Sequence, residues 1–201
     1  RVIPMFTNNG VPGATATRHP LVEKAALGSV LALAAADVAG LRGLPLALLA
    51  AFACVAHAAR WSLWQPWKTG KVPLVWVLHL AYLWVPVHLV LRALTEFGLV
   101  AASAATHALT VGAVGGLIIG MVTRTARGHT ARPLKADRYD TTCYLLVLLS
   151  GVVRVVVPLV APGHTIVAVQ CSAALWSAGF GLYAVRYWPV LTRSRLDGKP
   201  G

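Results

Sequence analysis

Four histidines and one arginine lie inside long apolar stretches of this sequence, where ionisable side chains are rare: His57, His79, His88, His107 and Arg154. Moving such a group into hydrocarbon costs several kcal/mol, so those that persist face a cavity, a partner or a metal. Neutral imidazole is a common ligand of haem iron and of copper, which makes the histidines candidate metal ligands. The alternative at each site is a buried histidine satisfied by a backbone carbonyl or a hydroxyl group.

The stretches that carry these residues are long enough to cross a membrane. Of the 201 residues 57% are apolar and 12% are charged, and the mean hydropathy is +0.68. An open sheet would leave backbone donors unpaired in lipid, so the stretches predict helices. The expected fold class is all-α, a polytopic transmembrane bundle forming a single domain over residues 1–201. The six predicted spans cover residues 21–40, 44–65, 73–95, 98–123, 141–162 and 165–190.

The charges indicate a topology and exclude one class of partner. An excess of 18 Lys and Arg over 6 Asp and Glu is also typical of nucleic-acid binding proteins. Here, however, the cations lie in short clusters between spans, which excludes nucleic acid as a partner. Four clusters, from Arg1 to Lys24, 60–71, 124–138 and Arg186 to Lys199, fall on one side, against Arg42 and Arg92 on the other. Cytoplasmic loops carry such an excess, so both termini are predicted to be cytoplasmic.

Depth along the spans separates the histidines into two layers. With a rise of about 1.5 Å per residue, His57 lies about 11 Å and His79 about 10 Å from the cytoplasmic ends. On the same scale His88 and His107 lie at about 24 Å, and Arg154 at about 20 Å. Two layers on facing helices suit two metal centres, or one haem and one copper.

His79 and His88 face opposite sides of the third span, because nine residues at 100° each separate them. His79 is the stronger candidate, since Tyr82 lies one turn away on nearly the same face and could orient the ring. Arg154 is expected to pair either with a haem propionate or with Asp37.

Small residues recur every four positions in the fourth span, at Ala104, Ala108, Gly112, Gly116 and Gly120. Such a stripe lets another helix, or a flat ligand, approach the backbone closely. Helix packing is the favoured interpretation. Tryptophans flank the connection between the second and third spans, where aromatic residues typically mark the membrane interface: Trp61, Trp64, Trp67 and Trp76.

A basic loop is predicted after the fourth span, over residues 123–134. Its cations could simply reflect the excess of Lys and Arg that is typical of cytoplasmic loops. The mixture of Arg124, His129 and Arg132 with Gly and Thr also suits an anionic group, such as a haem propionate or a lipid phosphate.

Several stretches resemble the NnrS family. They are RVIPMFT at 1–7, LVWVLHLAYLW at 74–84, HALTVGA at 107–113, MVTR at 121–124 and GHTARPL at 128–134. The resemblance implies a multi-pass protein of the bacterial inner membrane that binds haem and copper and is associated with nitric oxide metabolism and denitrification.

The resemblance also implies which residues carry that function. His79, His107, Arg124, His129 and Arg132 fall on the motif positions, whereas Ala131 stands where a glycine is expected. NnrS proteins are longer and open with a membrane half carrying its own histidine-rich motif. The chain therefore resembles their C-terminal half, and a missing N-terminal membrane half or a partner subunit is expected beside the lipid bilayer.

Three function classes follow. The first is a haem- and copper-binding protein acting on nitric oxide in its metabolism, in the response to nitrosative stress or in denitrification. Metal candidates are His57, His79, His88 and His107, and cofactor-binding candidates are Tyr82, Arg124, His129, Arg132 and Arg154. The second is a transporter or channel with a polar path lined by histidine and arginine, and the third is a scaffold packing through the glycine stripe. No nucleophile or acid–base constellation names a reaction, so the enzyme question is open.

Overall fold

The computed structural model describes residues 2–198, so Arg1 and Lys199 of the basic clusters lie outside the described part of the chain. Within residues 2–198 every regular element is a helix, which confirms the all-α class. The α-helices are α1 Val2–Gly10, α2 Pro20–Val38, α3 Leu44–Ser62, α4 Pro73–Thr95, α5 Ala102–His107, α6 Gly116–His129, α7 Arg138–Val160 and α8 Thr165–Leu191. A π-helical segment, Ala108–Gly115, joins α5 to α6 without a break.

Local sequence explains where these helices begin. Proline stands at the first or second position of α2, α3 and α4, where its missing N–H has no helical partner to lose. At the start of α7 the Asp137 side chain accepts from the Asp140 backbone N–H, and the Asp140 side chain accepts from that of Asp137. This reciprocal capping box fixes the first turn of α7.

Five helices of the described chain are long and apolar enough to cross a membrane: Leu44–Ser62, Pro73–Thr95, Ala102–His129, Arg138–Val160 and Pro162–Leu191. The remaining predicted span corresponds to α2, which has 19 residues but carries Glu23, Lys24 and Asp37. The crossing by α2 and the side of the termini stay predictions. Large apolar side chains are exposed on the outer helix faces, where lipid tails would cover them.

The fourth span is displaced from its predicted limits. It begins at Ala102 rather than residue 98, and it continues through the basic segment as far as His129. The prediction of a loop over residues 123–134 is therefore wrong for its first half. Within this extension the Arg127 guanidinium is held against α7 by Asp140.

The glycine stripe packs helices together, as its favoured interpretation predicted. An added Cβ atom at Gly116 would lie 2.7 Å from the Cβ of Ala81, and one at Gly120 would lie 2.8 Å from Leu78 Cδ2. Gly112 lies against the Trp84 ring. Because these positions have no side chain, α4 approaches the fourth span at close range.

Candidate functional site

His79 of α4 is buried, and only one of its ring nitrogens has a hydrogen-bond partner in the described chain. The side chain is 1% exposed, and its Nε2 lies 2.8 Å from the hydroxyl of Thr7 on α1. That hydroxyl also lies 2.9 Å from the Ile3 carbonyl, and when it donates its proton there the Thr7 oxygen accepts from Nε2–H. Nδ1 then carries an unshared lone pair. It is buried and has no hydrogen-bond partner among residues 2–198.

A cavity of about 430 Å³ adjoins His79. Three tryptophans and two leucines form most of its apolar wall: Trp61, Trp67, Trp76, Leu80 and Leu145. The connection between α3 and α4 adds Thr69 and Gly70 to its wall. A buried imidazole lone pair beside an apolar, aromatic cavity has the character of a site for a flat hydrophobic ligand. We call it the tryptophan cavity.

α3 and the turn that follows it hold this part of α4 in place through two further tryptophan contacts. The indole N–H of Trp61 donates to the His79 carbonyl at 2.9 Å. The Trp64 ring meets the His79 ring edge-on, with 6.4 Å between centroids. Trp64 is 2% exposed, and its Nε1, like Nδ1 of His79, is buried without a partner in the described chain. Two neighbouring rings thus each retain an unused polar atom.

His57, in contrast, is fully paired. Its Nε2–H donates to the Ala26 carbonyl at 3.0 Å, and Nδ1 accepts from the Tyr82 hydroxyl at 2.7 Å. Tyr82 therefore orients His57, and the expectation that it orients His79 is wrong. The phenol extends across to α3 instead of along its own helix. Both ring nitrogens of His57 are used, so this histidine is not free to bind a metal.

Arg60 and Glu23 form an ion pair beside His57. From the sequence, Arg60 is interpreted only as one of the cations that indicate the membrane topology. Two guanidinium nitrogens of Arg60 donate to Glu23 at 2.8 and 2.9 Å, and a third donates to the Tyr82 hydroxyl at 3.2 Å. The guanidinium carbon also lies 5.0 Å from the Trp64 ring centroid. This bidentate, stacked pair ties α2, α3 and α4 together.

His88 borders a second cavity, of about 440 Å³, whose wall includes Arg42, Arg92 and Glu96. Its Nδ1–H donates to the Ala105 carbonyl at 2.7 Å, which leaves the lone pair of Nε2 available. The two histidines of α4 line different cavities, as their opposite faces predicted. The cavity beside His88 is the more polar of the two, and we call it the polar cavity.

His107 and Arg154 pair with each other. Nδ1–H of His107 donates to the Ser103 carbonyl at 2.5 Å, and Nε2 accepts from Arg154 Nη2 at 3.0 Å. The alternative of an Arg154–Asp37 pair is wrong, because Asp37 pairs with Arg92. The similar depths predicted for His107 and Arg154 agree with their contact. Both ring nitrogens of His107 are used.

The three cofactor candidates after the fourth span do not form one site. The Arg124 guanidinium stacks on the Phe6 ring of α1, 3.6 Å from its centroid. His129 is exposed at the end of α6. Arg132 lines a separate cavity with Arg127 and other cations. Arg124 and Arg132 therefore lie in two separate environments.

A buried ion pair that the sequence did not reveal anchors α6 to α7 and α8. Asp140 is 1% exposed and accepts from Arg127 at 2.5 Å and from the Tyr187 hydroxyl at 2.8 Å. Arg127 and Arg186 both donate to Asp137, at 3.2 and 3.1 Å. The signal was available, because Asp137 and Asp140 are rare acids beside a basic segment.

Outside the spans, this network sets the protonation of Asp137. Partial burial acts to raise the pKa of Asp137, but the Asp140 N–H and the guanidinium groups of Arg186 and Arg127 outweigh it. They hold the pKa of this carboxyl below its ordinary value of 3.8. Asp137 is consequently charged at neutral pH.

Metal-ligating side chains do not converge within residues 2–198. No three His, Cys, Asp or Glu side chains of this part of the chain lie close enough together to hold a metal ion. The residues fit a single-histidine haem contact at His79 or His88. They do not fit a copper site formed by the described residues alone.

Comparison with known proteins identifies the family. The sequence model of the NnrS protein family matches residues 1–195, nearly the whole chain. No curated protein and no solved structure matches the chain. The His79 stretch and the end of the fourth span, which carried the resemblance, both lie within the matched region. The chain therefore belongs to the NnrS family.

Proposed function

We propose that this chain binds haem in the tryptophan cavity through His79 and acts in nitric oxide metabolism, in the response to nitrosative stress or in denitrification. One observation carries the proposal: Nδ1 of His79 is buried and without a hydrogen-bond partner in the described chain, and His79 lines an apolar cavity. Family membership supports the connection with nitric oxide. A bacterial inner-membrane location belongs to the same proposal.

The surroundings of His79 meet the requirements of a haem ligand. The ring must be neutral, with its second nitrogen held by a hydrogen bond, and Thr7 supplies that hydrogen bond. Aromatic walls offer planar apolar surface to a macrocycle. Bound haem would supply an iron atom able to take up nitric oxide.

Copper enters the proposal only with ligands from elsewhere. His57 and His107 are fully paired, and the described residues hold no cluster of three donors. We infer that copper would require the N-terminal membrane half of a longer protein, or a partner subunit. That inference follows the expectation that this chain corresponds to a C-terminal half.

The test compares the two histidines of α4 that retain a lone pair. Wild type, His79→Ala and His88→Ala are expressed in bacterial membranes, purified in detergent and titrated with haemin. We expect a Soret band in wild type and His88→Ala that shifts when nitric oxide is added, and at least tenfold weaker haemin binding in His79→Ala. His79→Gly should regain the band when free imidazole is added, because imidazole can occupy the vacated space.

The outcomes are distinct. A band lost in His88→Ala and kept in His79→Ala would assign the haem to the polar cavity and overturn the His79 assignment. A folded wild-type protein that takes up no haemin would overturn haem binding by this chain. It would favour the transport alternative, which needs no visible absorbance.

A further inference from the structure

A small cationic cavity lies where the end of α6, the start of α7 and the end of α8 meet. Its volume is about 210 Å³, and four arginines contribute to its wall: Arg127, Arg132, Arg186 and Arg193. Asp137 and Tyr187 complete its polar lining. The cavity belongs to neither histidine site, and it has no part in the haem proposal. We call it the arginine cavity.

Half of its guanidinium charge is already neutralised. Arg127 pairs with Asp140 and Asp137, and Arg186 pairs with Asp137. Arg132 and Arg193, in contrast, form no ion pair within the part of the chain that the structure describes. The cavity therefore carries two guanidinium groups in excess of the carboxylates beside it. A negatively charged ligand would balance that excess.

Arg132 supplies a second, independent observation. Its Nη1 is buried and has no acceptor among the residues that the structure describes. An arginine whose only role is to add positive charge to a cytoplasmic loop would place its nitrogen atoms in water, where they are hydrated. Burying a guanidinium N–H without an acceptor costs about 1–3 kcal/mol. Arg132 therefore has one unmet hydrogen bond at the wall of the cavity.

We propose that the arginine cavity binds a phosphate group, carried either by an anionic lipid headgroup or by a free phosphate. The planar forks of several arginines match the oxygen spacing of phosphate and can donate two parallel hydrogen bonds each. A cavity of about 210 Å³ holds a group of this size but not a macrocycle. It lies at the end of the spans where cations are concentrated, within reach of lipid headgroups.

The experiment uses two probes on the same detergent-purified protein. Inorganic phosphate is titrated calorimetrically, and phosphatidylglycerol is counted by native mass spectrometry, with phosphatidylcholine as the neutral lipid. The variants are Arg132→Gln and Arg193→Gln. Arg138→Gln is the matched control, because Arg138 is an exposed cation at the start of α7 that does not line the cavity. Thermal unfolding establishes that each variant is folded.

We expect at least one probe to bind, and each cavity variant to weaken binding at least tenfold while Arg138→Gln changes it less than twofold. Binding of inorganic phosphate alone would identify a free-phosphate site, and binding of phosphatidylglycerol alone a lipid site. If Arg132→Gln fails to fold, the exposed Arg193 carries the test by itself. The proposal is overturned if neither probe binds, or if Arg138→Gln weakens binding as much as the cavity variants do.

Discussion

His57 and His79 lie at nearly the same predicted depth, about 10 to 11 Å from the cytoplasmic ends, yet their surroundings differ completely. His57 uses both ring nitrogens and lies inside a closed network of Tyr82, Arg60 and Glu23. His79 uses one nitrogen, and the other is buried beside the tryptophan cavity. Depth and residue type are alike, so neither explains the difference.

The difference teaches that the number of hydrogen-bond partners separates a structural histidine from an available ligand. A fully paired imidazole fixes the relative positions of α2, α3 and α4 and has no lone pair to offer. An imidazole with one unused lone pair is incomplete until a ligand supplies the missing contact. The same contrast recurs deeper in the bundle, between the paired His107 and the half-paired His88.

The largest expected effect is on stability, and it separates His57 from His79. His57→Ala removes two buried hydrogen bonds and leaves a void in a closed region, so it should lower the free energy of unfolding by roughly 2–3 kcal/mol. His79→Ala removes one hydrogen bond beside an existing cavity and should cost about 1 kcal/mol. Unfolding of the haem-free proteins by SDS, followed by tryptophan fluorescence, measures both values.

Haemin binding should rank these two variants in the opposite order. His57→Ala, once folded, should keep the haemin affinity that His79→Ala loses, because His57 has no lone pair to contribute. Equal losses of stability, or equal losses of haemin, would show that the partner count does not distinguish the two histidines.

Filling the tryptophan cavity from α7 should weaken haemin binding without touching either histidine. Leu145 is an exposed residue of α7 that lines the cavity, and Leu149, one turn later, is exposed but does not line it. Leu145→Trp should occupy the space and weaken haemin binding about tenfold, equivalent to about 1.4 kcal/mol. Leu149→Trp is the matched control, and we expect it to change the affinity less than twofold.

Both tryptophan variants add the same apolar bulk to the same face of α7, so a general effect on the bundle would appear in each. If Leu149→Trp weakens haemin binding as strongly as Leu145→Trp, the loss does not come from the cavity. Unchanged binding in Leu145→Trp would place the haem elsewhere, and the polar cavity beside His88 would be the next site to test in the same way.

The sequence predicted the framework of both regions but not the contacts that distinguish them. Apolar length predicts α3, α4 and α7 within a few residues, because membrane thickness is a requirement that each span must meet by itself. The separation of His79 from His88 follows from helical periodicity alone. Partner counts depend on which neighbouring helix each ring meets, and periodicity within one helix carries no such information.

Three particular differences illustrate that limit. Thr7 escapes sequence reasoning because α1 is a short helix containing Asn8, Asn9 and Gly10, with too few turns for a periodic signal. Helical spacing pairs Tyr82 with His79, whereas its long side chain reaches His57 on α3. The π-helical segment Ala108–Gly115 interrupts the α-helical hydrogen-bond pattern of the fourth span, and no pattern in the sequence indicates it.

The smallest expected effect on stability concerns Asp137, the N-terminal cap of α7. Asp137→Ala removes the side-chain cap of α7 and should lower the free energy of unfolding at pH 7 by about 1 kcal/mol. Asp137→Asn keeps a capping side chain but loses the charge. It should cost only a few tenths of a kcal/mol, because this partly exposed carboxylate is screened by solvent.

The sign of the pH dependence follows from the lowered pKa of Asp137. In the folded protein this carboxyl binds its proton less readily than in the unfolded chain, so its charge stabilises the fold above its ordinary value of 3.8. That contribution is lost as the pH falls through the lower, folded pKa. The unfolding free energies of wild type and Asp137→Asn should therefore differ at pH 7 and converge as the pH falls below the folded pKa of Asp137. A difference that persists or grows at low pH would contradict the assignment. Between about pH 5 and 8 this anchor keeps its charge, so a pH-dependent change of the haemin spectrum in that range would arise elsewhere in the protein.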